Sequence, residues 1–400
     1  MKEALIIFRK EIKEILRDRR TVMVMLLIPL LLYPLLFTGI SSFVQGQEEK
    51  ASKEGLIIGL ASTGEEEGFM AFLKDMPNIR YTIVDSEVGK IEEMVKADSV
   101  DAIFLFPEGY REAVEQLEPI SYHYYYTSTN NEFKVGQIRE LNYAYQQYLT
   151  ARKLDELAVN ARVLEPATAM DNNLASEREQ FGSVIGGIIP YFFIIFCLMG
   201  CMYPAMDLAA GEKERGTLET LLVAPADRVQ IYIGKFLAVA LSGFISALAA
   251  ITGILISSRM IADGQSEMSG MVEMMTGLLE PVSLLSLLGI LLPLNAFFAA
   301  ITLMLSIYAR SFKEAQSLIT PLMIICIFPA IFGMLPGVEL DLVTALVPIL
   351  NVSLGAKEII AGTVQPLPLL LTYLSLIGYA VLALVISVRF FNNEKNILRG

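Results

Sequence analysis

The chain has 400 residues, of which 54% are hydrophobic, a mean hydropathy of +0.53 and a formal charge of −12. That hydropathy excludes an ordinary soluble domain, and the length leaves room for more than one folded unit. The charge is local: residues 44–183 hold 13 Lys/Arg against 25 Asp/Glu, and the remainder holds 18 of each, so there is no basic surface for a nucleic acid to use.

Residues 1–20 read as an amphipathic cytoplasmic helix. In KEALIIFRKEIKEILRDRRT, Leu5, Phe8, Ile12, Ile15 and Leu16 recur at helical spacing with charges on the other face, a pattern that lies in a lipid interface. The apolar run behind it, assigned to 21–44, is longer than the roughly 7–15 residues of a signal-peptide core, so it is expected to stay as an uncleaved first span.

Residues 45–183 are expected to form an α/β domain. The runs GLIIGLAS, IRYTIVD, VDAIFLFP and ISYHYYYTS are strand candidates bounded by turn residues. Acidic amphipathic stretches alternate with them, and Thr129-x-x-Glu132 reads as a capping box for a helix running toward about Val163. No dinucleotide, P-loop or nucleophile-elbow motif occurs there. Tyr122–Tyr126 is read as a packed strand, and His123, the chain's one histidine, has no ligand cluster around it.

Residues 184–400 supply the rest of an all-α membrane domain. Six apolar stretches, 22–44, 184–206, 231–257, 282–308, 315–335 and 368–388, each reach the roughly 20 residues that a bilayer core requires. None holds an acidic residue, and the one basic residue, Lys235, is expected to snorkel from near a helix end. A shorter stretch, 342–361, is broken by Pro348, Asn351, Lys357 and Glu358; it reads as re-entrant or interfacial, with a partial seventh span as the alternative. Cys197, Cys201 and Cys326 lie in apolar runs and read as buried small side chains. With both termini inside, the cytoplasmic segments carry sixteen Lys/Arg and the short outer loops carry two, Arg259 and Lys357, which puts the α/β domain outside the cell membrane.

Proton-driven carriers usually place Asp, Glu or His inside their spans, and no ATP-binding motif is present, so energy for transport must come from a separate subunit. The loop after the second span reads DLAAGEKERGTLETLLVAPADRVQIYIGKF. Gly216 is placed to break the descending helix, Thr217 and Glu219 suit the start of the short helix LETLLVA, and Asp227-x-x-Gln230 is a capping box for the third span. Such a short helix across the membrane face suits a lever docked in a partner, or else a rigid elbow. Arg310–Glu314, with Ser311-x-x-Glu314 capping the fifth span, is a second candidate contact.

The run EKERGTLETLLVAPADRVQIYIGKF, with the late segment VPILNVSLGAKEIIAG, resembles the ABC-2 type exporter permeases and most closely their sodium-extrusion branch. The resemblance implies a permease without its own ATPase, working as a pair, either two copies or one copy with a similar partner. ATP would sit on a partner ATP-binding-cassette subunit, and this chain would bind no cofactor or metal of its own. It also implies that Glu212, Glu214, Arg215, Gly216, Thr217 and Glu219 contact that ATPase. Related exporters carry peptides, antibiotics or lipids. A membrane-anchored sensor is the other reading, against which stand the number of spans and the absence of an output domain.

Sodium would meet no carboxylate inside these spans. The candidate contacts are the neutral oxygens of Asn295, Thr302 and Ser306, which share one helix face, and of Thr320, Asn351 and Ser353. Hydrogen bonding between helices is the competing reading of that polar stripe.

Overall fold

The computed structural model describes residues 2–160, apart from 62, 75, 77, 98 and 128–131. It also describes residues 175–393, apart from 177, 180, 181, 183–185, 219, 221–226, 263–268 and 336. The fold is mostly helical, at 75%, and among the described residues six helices are long and apolar enough to cross a membrane and a small mixed sheet lies in an inserted region. It divides into two compact units, Met1–Gly39 with Asn173–Gly400, and Ile40–Asn172. The insert therefore starts a few residues before position 45 and ends before 183.

The helical unit contains an N-terminal helix, Lys2–Arg17, and six spans: one, Arg19–Phe43; two, Ile188–Glu214; three, Arg228–Ala262; four, Pro281–Tyr308; five, Phe312–Phe332; six, Pro366–Phe391. Spans two and three are longer than their apolar runs. Span two continues through Asp207 to Glu214, by way of a π-helical turn at Asp207–Gly211. A second π turn, Met23–Leu27, lies near the start of span one. The main apolar core packs spans two, three and four against each other, with Phe193, Cys197, Cys201, Val239, Ala250, Leu294 and Phe298 among its buried members. All three cysteines are free and buried.

Small residues on span three set how closely its neighbours approach. A Cβ on Gly234 would meet the Ala4 carbonyl oxygen and Ile7 of the N-terminal helix at 2.8 Å, and a Cβ on Gly243 would overlap Asn295 and Cys201. The backbones pack at a distance only a missing side chain allows, which in lipid substitutes for a hydrophobic driving force.

The stretch 342–361 is not a span. It holds a 3₁₀ turn, Thr344–Leu346, and a buried helix, Leu350–Ala361. Twelve residues at about 1.5 Å each cover roughly 18 Å, too little for a bilayer core of about 30 Å. Asn351 explains the burial of a polar break: its Nδ2 donates to the Ala345 carbonyl at 3.1 Å and to Ser375 Oγ at 3.0 Å.

In the inserted unit the four strands fall where alternation placed them: β1, Leu56–Ala61; β2, Ile79–Val84; β3, Ala102–Leu105; β4, His123–Tyr126. The order is β2-β1-β3-β4, with β1 parallel to β2 and β3, and β4 antiparallel to β3. Leu56, Ile58 and Leu60 pack on one face with Phe69, Phe104 and Tyr145. Ala61, Val84 and Ile103 pack on the other with Ile91 and Val95. This period of two explains why β1 is apolar almost throughout: helices cover both faces. The tyrosines of β4 are likewise packed on both sides. The long helix, Glu132–Glu156, ends sooner than the expected Val163: Ala158 takes a φ of 52°, and Val159 N donates back to the Leu154 carbonyl at 2.9 Å, closing the last turn. The Thr129 cap lies outside the described residues.

Candidate coupling site at the charged end of the bundle

The N-terminal helix buries Ala4, Ile7, Glu11 and Ile15, spaced three and four residues apart on one stripe. Leu5 and Leu16, placed by their spacing on the apolar face that meets the lipid interface, are 49% and 60% exposed. The apolar arc is therefore wide. One edge packs on span three through Gly234, and the other edge faces outward, next to the exposed basic residues Arg9 and Lys13.

Glu11 on the packed stripe meets Lys235. That lysine is 1% exposed, so it does not snorkel; span three starts at Arg228, which sets Lys235 two turns inside the helix and under the N-terminal helix. Its Nζ donates to Glu11 Oε1 at 2.9 Å, Glu212 Oε2 at 2.6 Å and the Leu208 carbonyl at 2.8 Å. Lys10 Nζ donates to Glu212 Oε1 at 2.6 Å and lies 3.3 Å from Glu11 Oε1 and 3.5 Å from Glu14 Oε2. Arg215 extends the network to Asp207 at 3.0 Å and to Glu14 at 3.8 Å. Burial pushes the Glu11 carboxyl above its ordinary range, with Lys235 pulling the other way. A buried pair of this kind contributes little net stability but costs heavily if one member is lost.

The loop residues singled out from sequence divide in two. Glu212 turns inward and is 2% exposed, so it holds the bundle together. Glu214, Arg215, Gly216 and Thr217 are exposed. Glu214 Oε2 accepts from Phe312 N at 3.1 Å, the first helical residue of span five, and Lys213 Nζ donates to the carbonyls of Ile307 at 3.0 Å and Ala309 at 3.3 Å. The second candidate segment is thereby joined to the first. Its own cap forms as expected: Ser311 Oγ accepts from Glu314 N at 3.3 Å, and Glu314 Oε2 accepts from Arg310 N at 2.7 Å. Arg310 remains exposed.

Gly216 ends the descending helix with a φ of +70°. A β-branched residue is strained in that region, so Gly216→Val should cost at least about 1–2 kcal/mol, read as a lower unfolding temperature, whereas Gly216→Asn should cost less. Thr217 Oγ1 donates to the Glu212 carbonyl at 3.2 Å. Glu219 and most of the expected short helix lie outside the described residues.

The polar stripe of span four is buried throughout, and the described structure uses it for packing. Asn295 Nδ2 donates to the Leu291 carbonyl at 2.7 Å and to Cys197 Sγ of span two at 3.5 Å; Thr302 Oγ1 donates to the Phe298 carbonyl at 2.7 Å. Ser306 Oγ is buried without a partner among the described residues. Asn351 belongs to a different neighbourhood, with Ala345 and Ser375, so these four residues do not form one site. Ser353 Oγ donates to the Ala330 carbonyl at 3.0 Å, and Thr320 is exposed.

Sequence reading missed Arg178. It is 12% exposed by side chain, with Nε donating to the Ile360 carbonyl at 2.8 Å and one terminal nitrogen to the Ile359 carbonyl at 3.0 Å. It also reaches Glu280 at 3.1 Å and Ser283 at 3.3 Å. The cation thus caps the C-terminus of the helix Leu350–Ala361, whose last carbonyls have no partner within the helix.

A family model described as "ABC-2 family transporter protein" matches residues 19–389. The chain belongs to this family. It is also 26% identical over 376 residues to the ABC transporter permease protein NatB of Bacillus subtilis (strain 168), an alignment covering 92% of each chain. No solved structure matches significantly. As an ABC-2 permease, the chain is the membrane subunit of an ABC exporter and not an enzyme, with ATP hydrolysis on a separate subunit. The family match begins at the first span, so the ion network links the permease core to a helix that precedes the matched region.

Proposed function

We propose that this permease extrudes sodium ions across the plasma membrane as one of two identical copies, driven by an ATP-binding-cassette subunit docked on its charged end. The observation that carries the cargo is the full-length likeness: the loop 212–236 and the segment 347–362 resemble the sodium-extrusion branch, and the NatB alignment extends over 92% of the chain. The sixteen-to-two bias in basic residues supports a cytoplasmic charged end with both termini inside and the unit Ile40–Asn172 outside.

The exposed groups Glu214, Arg215, Gly216, Thr217 and Arg310 are the surface offered to the ATPase, with Glu219 assigned there by resemblance. Glu314 and Glu212 act behind it, the first by capping span five and the second by tying the loop to the N-terminal helix. Spans one, five and six leave most of their apolar side chains uncovered, which suits lipid and a second copy that brings the total to twelve spans.

The test is reconstitution of the permease with its ATPase in vesicles loaded with sodium-22. ATP-dependent loss of the tracer, absent when either subunit is omitted, is the expected result. Export of a peptide, antibiotic or lipid without sodium movement would replace the cargo and leave the permease assignment standing.

A further inference from the structure

The inserted unit holds a cavity of about 480 Å³ between the long helix Glu132–Glu156 and the chain that leads from the helix Tyr110–Glu115 into β4. That volume falls within the roughly 300–1,000 Å³ of small-molecule sites. Asn142, Gln146, Leu149 and Lys153, at spacings of four, three and four, turn one face of the long helix to it. Tyr122 and Tyr124, two positions apart, turn one face of the opposite segment to it. Tyr110 is buried at its floor; its ring meets that of Tyr122 at 88° with centroids 6.0 Å apart, so the two make a corner. Glu118, Ser121, Gln146 and Arg152 are exposed and form a rim open to solvent.

The lining has no surplus charge. Arg152 is tied to Glu156 at 3.0 Å, Lys153 Nζ donates to the Leu117 carbonyl, and Glu118 is the one carboxylate among the lining residues. Nothing there draws an ion or a phosphate, and the amides and hydroxyls of the wall disfavour a bare hydrocarbon, which would leave them unpaired. Hydrogen-bonding capacity is left over. Tyr122 Oη donates to Asn142 Oδ1 at 2.6 Å and fixes that amide; its Nδ2 has no partner among the described residues, nor have the hydroxyls of Ser121 and Tyr124. A fitting ligand needs C–H faces for the rings and neutral donors and acceptors around its edge. A sugar ring has both. Tyrosine suits it, since a rigid ring with a polar tip supplies contact area at low entropic cost.

We propose that this cavity binds a short uncharged saccharide, with Tyr122 and Tyr124 against its C–H faces and Asn142, Gln146 and Ser121 bonding its hydroxyls. The site makes the inserted unit a recognition module, and it rests on neither the cargo nor the ATPase coupling.

The experiment uses the full-length chain in zwitterionic nanodiscs, without ATPase. Maltotriose, cellotriose and chitotriose are each titrated by calorimetry and by tyrosine emission, which no tryptophan masks in this chain. The expected result is saturable binding of at least one of them, with one molecule per chain. Tyr124→Leu should weaken it about 10-fold, the worth of one ring contact. Gln146→Ala should weaken it several-fold; that residue is exposed, so this variant keeps the test open if Tyr124→Leu fails to fold. Tyr143→Leu, at a 62% exposed position of the same helix outside the cavity, should leave binding unchanged. Absence of saturable binding of all three saccharides overturns the site, as does undiminished binding by Gln146→Ala and Tyr124→Leu. Binding of trialanine in place of the saccharides also overturns it and gives the cavity to peptides.

Discussion

Replacing Lys235 with Met is expected to destabilise the permease by about 3–5 kcal/mol, the range seen when one partner of a buried ion pair is removed. Among the described residues Lys235 is the one cation that contacts both Glu11 and Glu212 from inside the bundle, and all three side chains are at most 2% exposed. Without it, the carboxylates face each other, with only Lys10 at the solvent edge to offset them. The three buried cysteines provide the readout: a thiol-reactive dye reports the temperature at which they become accessible. Adding Glu11→Gln to Lys235→Met should recover part of the loss, because the second change removes a charge the first has orphaned; strictly additive losses would show that the two residues do not interact.

The second large effect is expected at Arg178. Its guanidinium serves three helix-terminal carbonyls, a hydroxyl and a carboxylate at once, from a position flanked by Gly277 and Gly362, where any side chain would crowd it. Arg178→Ala removes the side-chain donor from the Ile360 carbonyl and leaves the Ile359 carbonyl only the Gly362 N–H at 3.3 Å, and should cost about 2–3 kcal/mol in stability. Arg178→Lys keeps the charge but not the planar fork, so it should recover less than half of that. If Lys restores the full unfolding temperature, charge at the helix C-terminus is sufficient and the fork is not needed. Export in reconstituted vesicles should fall with Arg178→Ala even where the protein is stabilised enough to fold, since the helix Leu350–Ala361 would lose its anchor to the start of span four.

What could be read from sequence follows from how local its signals are. Each span announces itself in about 20 consecutive residues, and the strands of the insert in runs of four to eight. The cap at Ser311 and Glu314 needs only four residues, and Gly216 only one. The ion network was illegible for the opposite reason. Glu11 and Lys235 stand 224 positions apart, and Glu11 sits among so many charges that a helix-face reading groups it with the solvent side. Two signals were available. Glu11 continues the stripe of Ile7 and Ile15 at spacings of four, and Lys235 is the one charge in six apolar runs. A lone charge beside a helix that presents a carboxylate from an apolar stripe is a pairing that could have been sought. Arg178 had no comparable signal, because its partners are mostly backbone carbonyls, which every residue possesses.

The π turn at Asp207–Gly211 carries a consequence for the descending end of span two. A π turn accommodates one residue more than an α-helical turn, and each residue of an α-helix advances the phase by about 100°. The Glu212, Glu214 and Arg215 side chains therefore point where they do because of the wider turn upstream, not because of their own sequence. Winding Asp207–Gly211 as an α-helix with no residue removed would swing this trio about a quarter-turn around the axis, carrying Glu212 away from Lys235, whereas excising Ala210 would leave their azimuth nearly unchanged. Wider turns of this kind set the azimuth of the segment that follows independently of its chemistry, so the same residues wound as a straight helix would face the wrong neighbours.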